Sequence, residues 1–519
     1  MSTNYSHDSL SIMELPSIVT HLFERAQRPL LPEALGPIGL FVRYLRRKPA
    51  RGLAVIYHVD EVQRSGSISA QRAHANDAHR SVSLTLDEEA LEGAHIRFSA
   101  AQAQQAPVEV EPSNVLRVQD LGISVQAFPA DDGLPTLAAS CDTSEHGLLF
   151  EALQAAAQAQ LGNPNWRLVS ASAEPVRYKP ANRCVIRYQL ILELLNDSSF
   201  PIYRGSTQKN LTLFGKVYAA PEQAANVQAM QQQLYDEQAS AMRSNAGDQT
   251  VQSTSASPML PRPLGIIKTL GLTFNQSVQP AILGETMLTG TRALRAQIVR
   301  GRGGEITGVL TPDEELRITA TALARLHTGS VHPKESAPRT GAKEAKRARE
   351  RAGLIAAHNP AQAEETQRLA GQLASRLEAL QPDAYRPAHG GFKASQLLFH
   401  THQVFVVDFD GFCLADPALD VGYFLAYLRP SGLWYHRAGM RQWFEAAKTI
   451  FVNSYRQAML ERGITQSTID GILERSQLYE AALLFKIATR RVNRLNSSRP
   501  KELSAMLSEI AGCLLGKEK

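Results

Sequence analysis

HGGFKASQLLF at residues 389–399 and VFVVDFDGFCLADPALDVGYFLAYL at residues 404–428 are the stretches whose reading decides the fold. Val404–Val407 is a continuous apolar, β-branched run, as expected of a strand buried on both faces. It ends in two carboxylates, Asp408 and Asp410. A buried strand that ends in charge delivers that charge to a cleft. Downstream, Asp416 precedes Pro417 in a turn, and Asp420 stands early in an apolar helical run, where a carboxylate favours the start of a helix. Both are assigned structural roles.

Working outward, 519 residues suggest two to four structural units, and 44% hydrophobic residues describe an ordinary globular balance. No apolar run reaches the roughly 18 residues that span a bilayer. The opening MSTNYSHDSL lacks the basic-then-apolar order of a secretion signal, so a cytoplasmic protein without membrane contact is expected. Cys141, Cys184, Cys413 and Cys513 form no C-x-x-C pair and read as small buried hydrophobes, not as a disulfide framework or zinc site. The net charge of +5 is concentrated in KEAKRARERAG at 343–353, whose interleaved glutamates read as a solvated helix face. No basic stripe interleaved with aromatics appears, so nucleic acid is not an expected partner.

Strand-like runs dominate the first half, and helical periodicity takes over from about residue 286, as in LRITATALARLH (316–327) and ETQRLAGQLASRLEALQ (365–381). SAMRSNAGDQTVQSTSASP (240–258) reads as a flexible loop. VRYLRRKPARGLAVIYHV (42–59) and VRYKPANRCVIRYQL (176–190) share Val-Arg-Tyr, a Lys-Pro-Ala turn and a following β-branched strand, so a strand–turn–strand unit is duplicated. FPADDGLPTL (128–137) lies between the copies as a turn-rich connector.

The loop and strand together resemble the aminoglycoside phosphotransferase and choline kinase-like family, whose loop H-G-D-x-x-x-x-N precedes a strand bearing a metal-binding Asp. The resemblance implies an α+β, protein kinase-like two-lobe fold. Its expected parts are an accessory amino-terminal β-containing unit (1–150), a strand-rich small lobe (151–285) and a mainly helical large lobe (286–519). Laid over the family loop, His389 and Gly390 match and Gly391 replaces the catalytic Asp. Gln396 replaces the metal-binding Asn, and Asp408 matches the metal-binding Asp. Lys393 sits where protein kinases carry a lysine that neutralises the transferring phosphate, and Asp410 can reach a second metal or act as a substitute base.

On the nucleotide side the resemblance implies a strand lysine, Lys216, paired with a helix glutamate, Glu237 or Glu222, of which Glu237 is preferred. An edge-strand lysine that protects the sheet is the alternative for Lys216. The turn YKPANRC lacks the glycines that commonly cover phosphates; its backbone amides and Arg183 are expected to serve instead. The backbone at Pro280 to Ile282 would face the base of ATP or GTP. GRGGE at 301–305 reads as a surface loop and His327 as a packed core histidine. The resemblance thus implies Mg²⁺-dependent phosphoryl transfer from ATP or GTP to a hydroxyl of a small molecule, the nucleotide and acceptor being the expected partners. The alternative is a pseudokinase-like nucleotide- or metabolite-binding regulatory protein, which Gly391 favours.

Overall fold

The computed structural model describes residues 14–30, 38–48, 52–61, 80–92, 95–111, 114–195, 208–245, 258–278, 282–283, 312–333, 337–400, 402–430, 439–492 and 502–515. Pro280 and the 301–305 glycine cluster lie outside them. The fold is α+β, with sheets in the first half and helices in the second. Contacts divide the chain into two compact units, one holding residues 1–228 and 263–277, the other 229–262, 278–493 and the carboxy-terminal segment.

In the first unit, α1 (Leu15–Arg25) buries Leu15, Ile18, Val19, Leu22 and Phe23, the three- and four-residue spacing of one helix face. That face belongs to a core shared with a six-stranded sheet of order β1-β2-β3-β8-β7-β6. Its strands are β1 (Ile38–Lys48), β2 (Gly52–Glu61), β3 (Ser81–Leu86), β6 (Glu109–Val110), β7 (Val115–Val118) and β8 (Ile123–Ala127). Period-2 alternation sets the inward side of β2, where Leu53, Val55, Tyr57 and Val59 are buried. A second core joins α4 (Leu148–Leu161) to a sheet of order β12-β13-β11-β10-β9. Those strands are β9 (Trp166–Lys179), β10 (Arg183–Leu194), β11 (Gln208–Tyr218), β12 (Pro263–Ile267) and β13 (Leu272–Gln276).

The two sheets share one plan. Each begins with the hairpin found twice in the sequence, adds a third strand, and then inserts the last strand of the unit beside it. In each, the final strand pair is joined by a single 3₁₀ turn that closes on a left-handed glycine, Gly122 (φ 60°) or Gly271 (φ 58°). The sequence carries this second correspondence as VQDLGISV against IKTLGLTF, which only Leu-Gly made visible.

α5 (Pro221–Asn245) runs through Ser240–Asn245, which composition assigned to a loop. Ala239, Ala241, Met242 and Arg243 are good helix formers and outweigh the serines there.

The second unit packs helices α6 (Pro312–His327), α7 (Gly341–His358), α8 (Ala363–Glu378), α9 (Ala418–Leu428), α10 (Met440–Leu460), α11 (Gln466–Val492) and α12 (Leu503–Leu515) around one apolar core. Two small sheets hold the motif. β14 (Ile282–Leu283), β16 (Leu397–His400) and β17 (Gln403–Val406) form one, and β15 (Arg386–Ala388) with β18 (Cys413–Ala415) the other. α9 is buried along almost its whole length. A Cβ on its Gly422 would stand 2.3 Å from the Ser476 carbonyl oxygen, so that glycine lets α9 lie directly on the α11 backbone. Among the described residues no helix is long and apolar enough to cross a membrane.

Candidate functional site

The loop between β15 and β16 is fixed from beneath by Asp420, which is fully buried in the first turn of α9. Its Oδ2 accepts the His389 amide at 2.6 Å and its Oδ1 the Gly390 amide at 3.0 Å. His327 Nε2 lies 3.5 Å from the same Oδ2, and its Nδ1 is 2.7 Å from the Tyr455 hydroxyl. Burial alone would raise the Asp420 carboxyl, but the His327 hydrogen bond and the neighbouring histidines hold it below the usual carboxylate range. Asp416 is a bidentate partner of Arg475, at 2.7 and 3.1 Å. Both carboxylates are structural, as expected, and His327 is the core histidine expected of it.

Gly390 requires its glycine: φ is +73°, and a Cβ there would meet the Gly411 carbonyl oxygen at 2.0 Å. Gly391 does not. It is absent from the positive-φ residues, and a Cβ built on it meets nothing within 4 Å. The residue that replaces the family's Asp therefore occupies ordinary backbone beside open space. Phe392 points the other way, into the core against His389 and Phe424. The Lys393 ammonium lies 5.4 Å from the centroid of Tyr427 on α9.

His389 Nε2 donates to the Val407 carbonyl at 3.1 Å, leaving Nδ1 buried and without a partner. Burial lowers the pKa of this imidazole and keeps the ring neutral. The Gln396 carbonyl accepts the Val407 amide at 2.9 Å, which fixes the end of β17 against the loop. Asp408 follows in the left-handed conformation (φ 69°, ψ 51°), a strain of about 1 kcal/mol that Asp tolerates better than most residues.

Asp408 Oδ2 receives Gln396 Nε2 at 3.3 Å. The other end of that amide, Gln396 Oε1, is buried and has no hydrogen-bond partner. Both groups offer hard oxygens of the kind Mg²⁺ accepts, but here the amide turns its nitrogen, not Oε1, toward the carboxylate, and among the described residues no cluster of three or more His, Cys, Asp or Glu is placed to hold a metal. Asp410 is half-buried in the 3₁₀ turn Phe409–Gly411 that follows.

The nucleotide candidates are placed as follows. Lys216 stands in β11, between Val185 of β10 and Thr273 of β13. It is thus on an interior strand, which removes the edge-strand alternative, and its ammonium lies 5.0 Å from the Tyr218 ring centroid. Lys216 belongs to the first compact unit, and Glu237, Lys393 and Asp408 to the second. The Glu237 carboxylate accepts the Ser330 amide at 2.6 Å and the Ser330 hydroxyl at 2.5 Å, while Glu222 is exposed in the first turn of α5. Arg183 opens β10 opposite Lys179 and Tyr218. Ile282 pairs with Phe399 across β14 and β16.

One expectation changes at the turn between β9 and β10. Its Ala181 amide is not open to an incoming phosphate, because it donates to both oxygens of Asp131, at 3.1 and 2.9 Å. Asp131 comes from the 128–137 connector, is 2% exposed, and also accepts the Tyr178 hydroxyl at 2.7 Å and the amides of Gly133 and Leu134.

A cluster that sequence reasoning missed adjoins the loop on the carbonyl side of Gly390. Arg339 Nη1 donates to the Gly390 carbonyl at 2.6 Å, Nη2 to the Tyr423 hydroxyl at 2.7 Å, and Nε to Glu344 at 2.8 Å. Glu344 is fully buried and also receives Arg347 and the Tyr423 hydroxyl. Burial would raise its carboxyl, but Arg339 and Arg347 bring it to about 2. The 343–353 segment is therefore not simply a solvated face. Lys343, Lys346, Arg349 and Glu350 are exposed, whereas Glu344 is buried and Arg347 and Arg351 are partly buried.

Residues 264–448 match the model of the phosphotransferase enzyme family, which bears out the resemblance over that stretch. No curated protein matches the chain. Among solved structures, a choline/ethanolamine kinase family protein from Mesorhizobium loti is similar at 12% identity and a TM-score of 0.37, over 62% of this chain and 93% of that one. A glucosamine kinase is similar at 15% identity and a TM-score of 0.41, over 93% of each chain. A choline kinase from Streptococcus pneumoniae is similar at 10% identity and a TM-score of 0.35, over 70% and 99%.

Proposed function

We propose that this chain, phosphotransferase-like over residues 264–448, passes the γ-phosphate of ATP or GTP to a hydroxyl of a small molecule. The observation that carries the proposal is the Gln396–Asp408 pair, with its idle carbonyl oxygen, on a loop pinned by Asp420. Asp408 and Gln396 hold the metal in this reading, and Mg²⁺ when bound neutralises charge on the transferring phosphates. Lys216 and Arg183 serve the nucleotide phosphates, and the backbone at Ile282 faces the base. Lys393 stands by the transferred group.

Gly391 leaves the acceptor hydroxyl without the usual base. A general base contributes about 10²- to 10⁴-fold, whereas positioning and charge neutralisation supply most of phosphoryl-transfer catalysis and do not depend on it. Asp410 is the carboxylate left at the strand end to take the proton. Two observations favour a regulatory nucleotide- or metabolite-binding protein instead: Gly391 itself, and the commitment of the Ala181 amide to Asp131.

Calorimetry with ATP and GTP, with and without Mg²⁺, tests the proposal. Binding is expected to require Mg²⁺, and Asp408→Asn to remove that requirement with the fold intact. Asp420→Asn is expected instead to lower stability by about 3 kcal/mol, because it weakens a buried, multiply bonded carboxylate. No detectable binding at millimolar nucleotide would sink the proposal.

A further inference from the structure

Four cations, Arg339, Arg347, Arg351 and Lys486, gather around one carboxylate beside the Gly390–Gly391 loop. Glu344 is already occupied by Arg339, Arg347 and Tyr423. Arg351 donates to the Ala482 carbonyl at 3.1 Å, and the Lys486 ammonium, one helical turn further along α11, lies 5.9 Å from the Tyr423 ring centroid. Both side chains are half-buried, and among the described residues neither forms an ion pair. Arg490 follows on the next turn of α11, exposed. Burial, then Arg490, Arg351 and Arg339, push the Lys486 ammonium down to about 7, and burial likewise lowers Arg351.

Excess positive charge of this kind is costly to keep out of water unless an anion completes it. The cluster is also tied to the loop. Arg339 holds the Gly390 carbonyl, and Lys393 and Lys486 sit over Tyr427 and Tyr423, residues one turn apart on α9. A cationic acceptor would meet like charge here.

We propose that Arg351 and Lys486, backed by Arg339 and Arg490, form an anion subsite, so that the acceptor carries a phosphate or carboxylate group. The word acceptor rests on the phosphotransferase reading; the subsite itself does not.

The test is calorimetry of the full chain with inorganic phosphate and with sulfate at fixed ionic strength, without nucleotide and then in saturating Mg-ATP. Wild type is expected to bind phosphate in both conditions. Lys486→Met is expected to weaken phosphate binding by about tenfold or more, the worth of one charged hydrogen bond, while leaving Mg-ATP binding unchanged. Arg351→Gln should give the same result in a second background. In phosphate-free buffer Lys486→Met should melt no lower than wild type, since it removes repulsion. Equal phosphate affinity in the variants, or a lowered melting point with phosphate binding intact, would overturn the subsite. So would loss of phosphate binding in Mg-ATP, which would assign the cluster to the nucleotide's own phosphates. Lys486-dependent phosphate binding without any nucleotide binding would uphold the subsite and take down the phosphotransferase reading.

Discussion

At position 391 the missing carboxylate and the room for one coexist. Gly391→Asp places a side chain in open space on ordinary backbone, so its effect on stability is expected to stay within about 0.5 kcal/mol. With nucleotide binding intact, it should raise turnover by about 10²- to 10⁴-fold, the worth of a general base. Single-turnover phosphoryl transfer and background nucleotide hydrolysis measure this, and unchanged rates would favour the binding-protein reading. Gly390→Ala is the contrast: it forces a left-handed side chain into the Gly411 carbonyl and should cost upwards of about 2 kcal/mol. Which of two adjacent glycines was conformational could not be read from the letters, because it depends on φ. Asp416 and Asp420 were legible, since a turn proline and a helix start leave a buried carboxylate few other tasks.

For the helices, the decisive contacts join residues far apart in the chain. Glu344 on α7 meets Arg339 before it and Tyr423 on α9, and no local pattern announces that meeting. Alternating charges in 343–353 look like solvent exposure, and only the buried alanines at 345, 348 and 352 mark which side turns inward. Glu344→Gln leaves a buried Arg339 undercompensated and should destabilise by about 3–5 kcal/mol. The native carboxyl, at about 2, lies below its ordinary 4.5. The stability it contributes is therefore complete above pH 4.5 and lost as pH falls from there toward 2. Urea midpoints of wild type and Glu344→Gln should differ by a constant amount above pH 5 and converge below 4.5.

At the scale of the molecule, three separate apolar cores among the described residues underlie two sheets of common strand order and one helical assembly. Helical periodicity and the repeated hairpin made the α+β class legible. The second half of the sheet correspondence was not, because a left-handed glycine after a 3₁₀ turn needs only Leu-Gly to encode it.

The connector between the sheets has a consequence for ligand affinity. Asp131 is an internal competitor, tethered to the molecule and present at high effective concentration beside the Ala181 amide. Any phosphate seeking that amide binds only the fraction of molecules in which the carboxylate has withdrawn, and its apparent dissociation constant is inflated by the inverse of that fraction. Asp131→Asn keeps an acceptor for the turn but gives up the charge that makes the tether strong. If nucleotide phosphates use the turn, calorimetry should find them bound several-fold more tightly by the variant; an unchanged constant would mean that they never visit it.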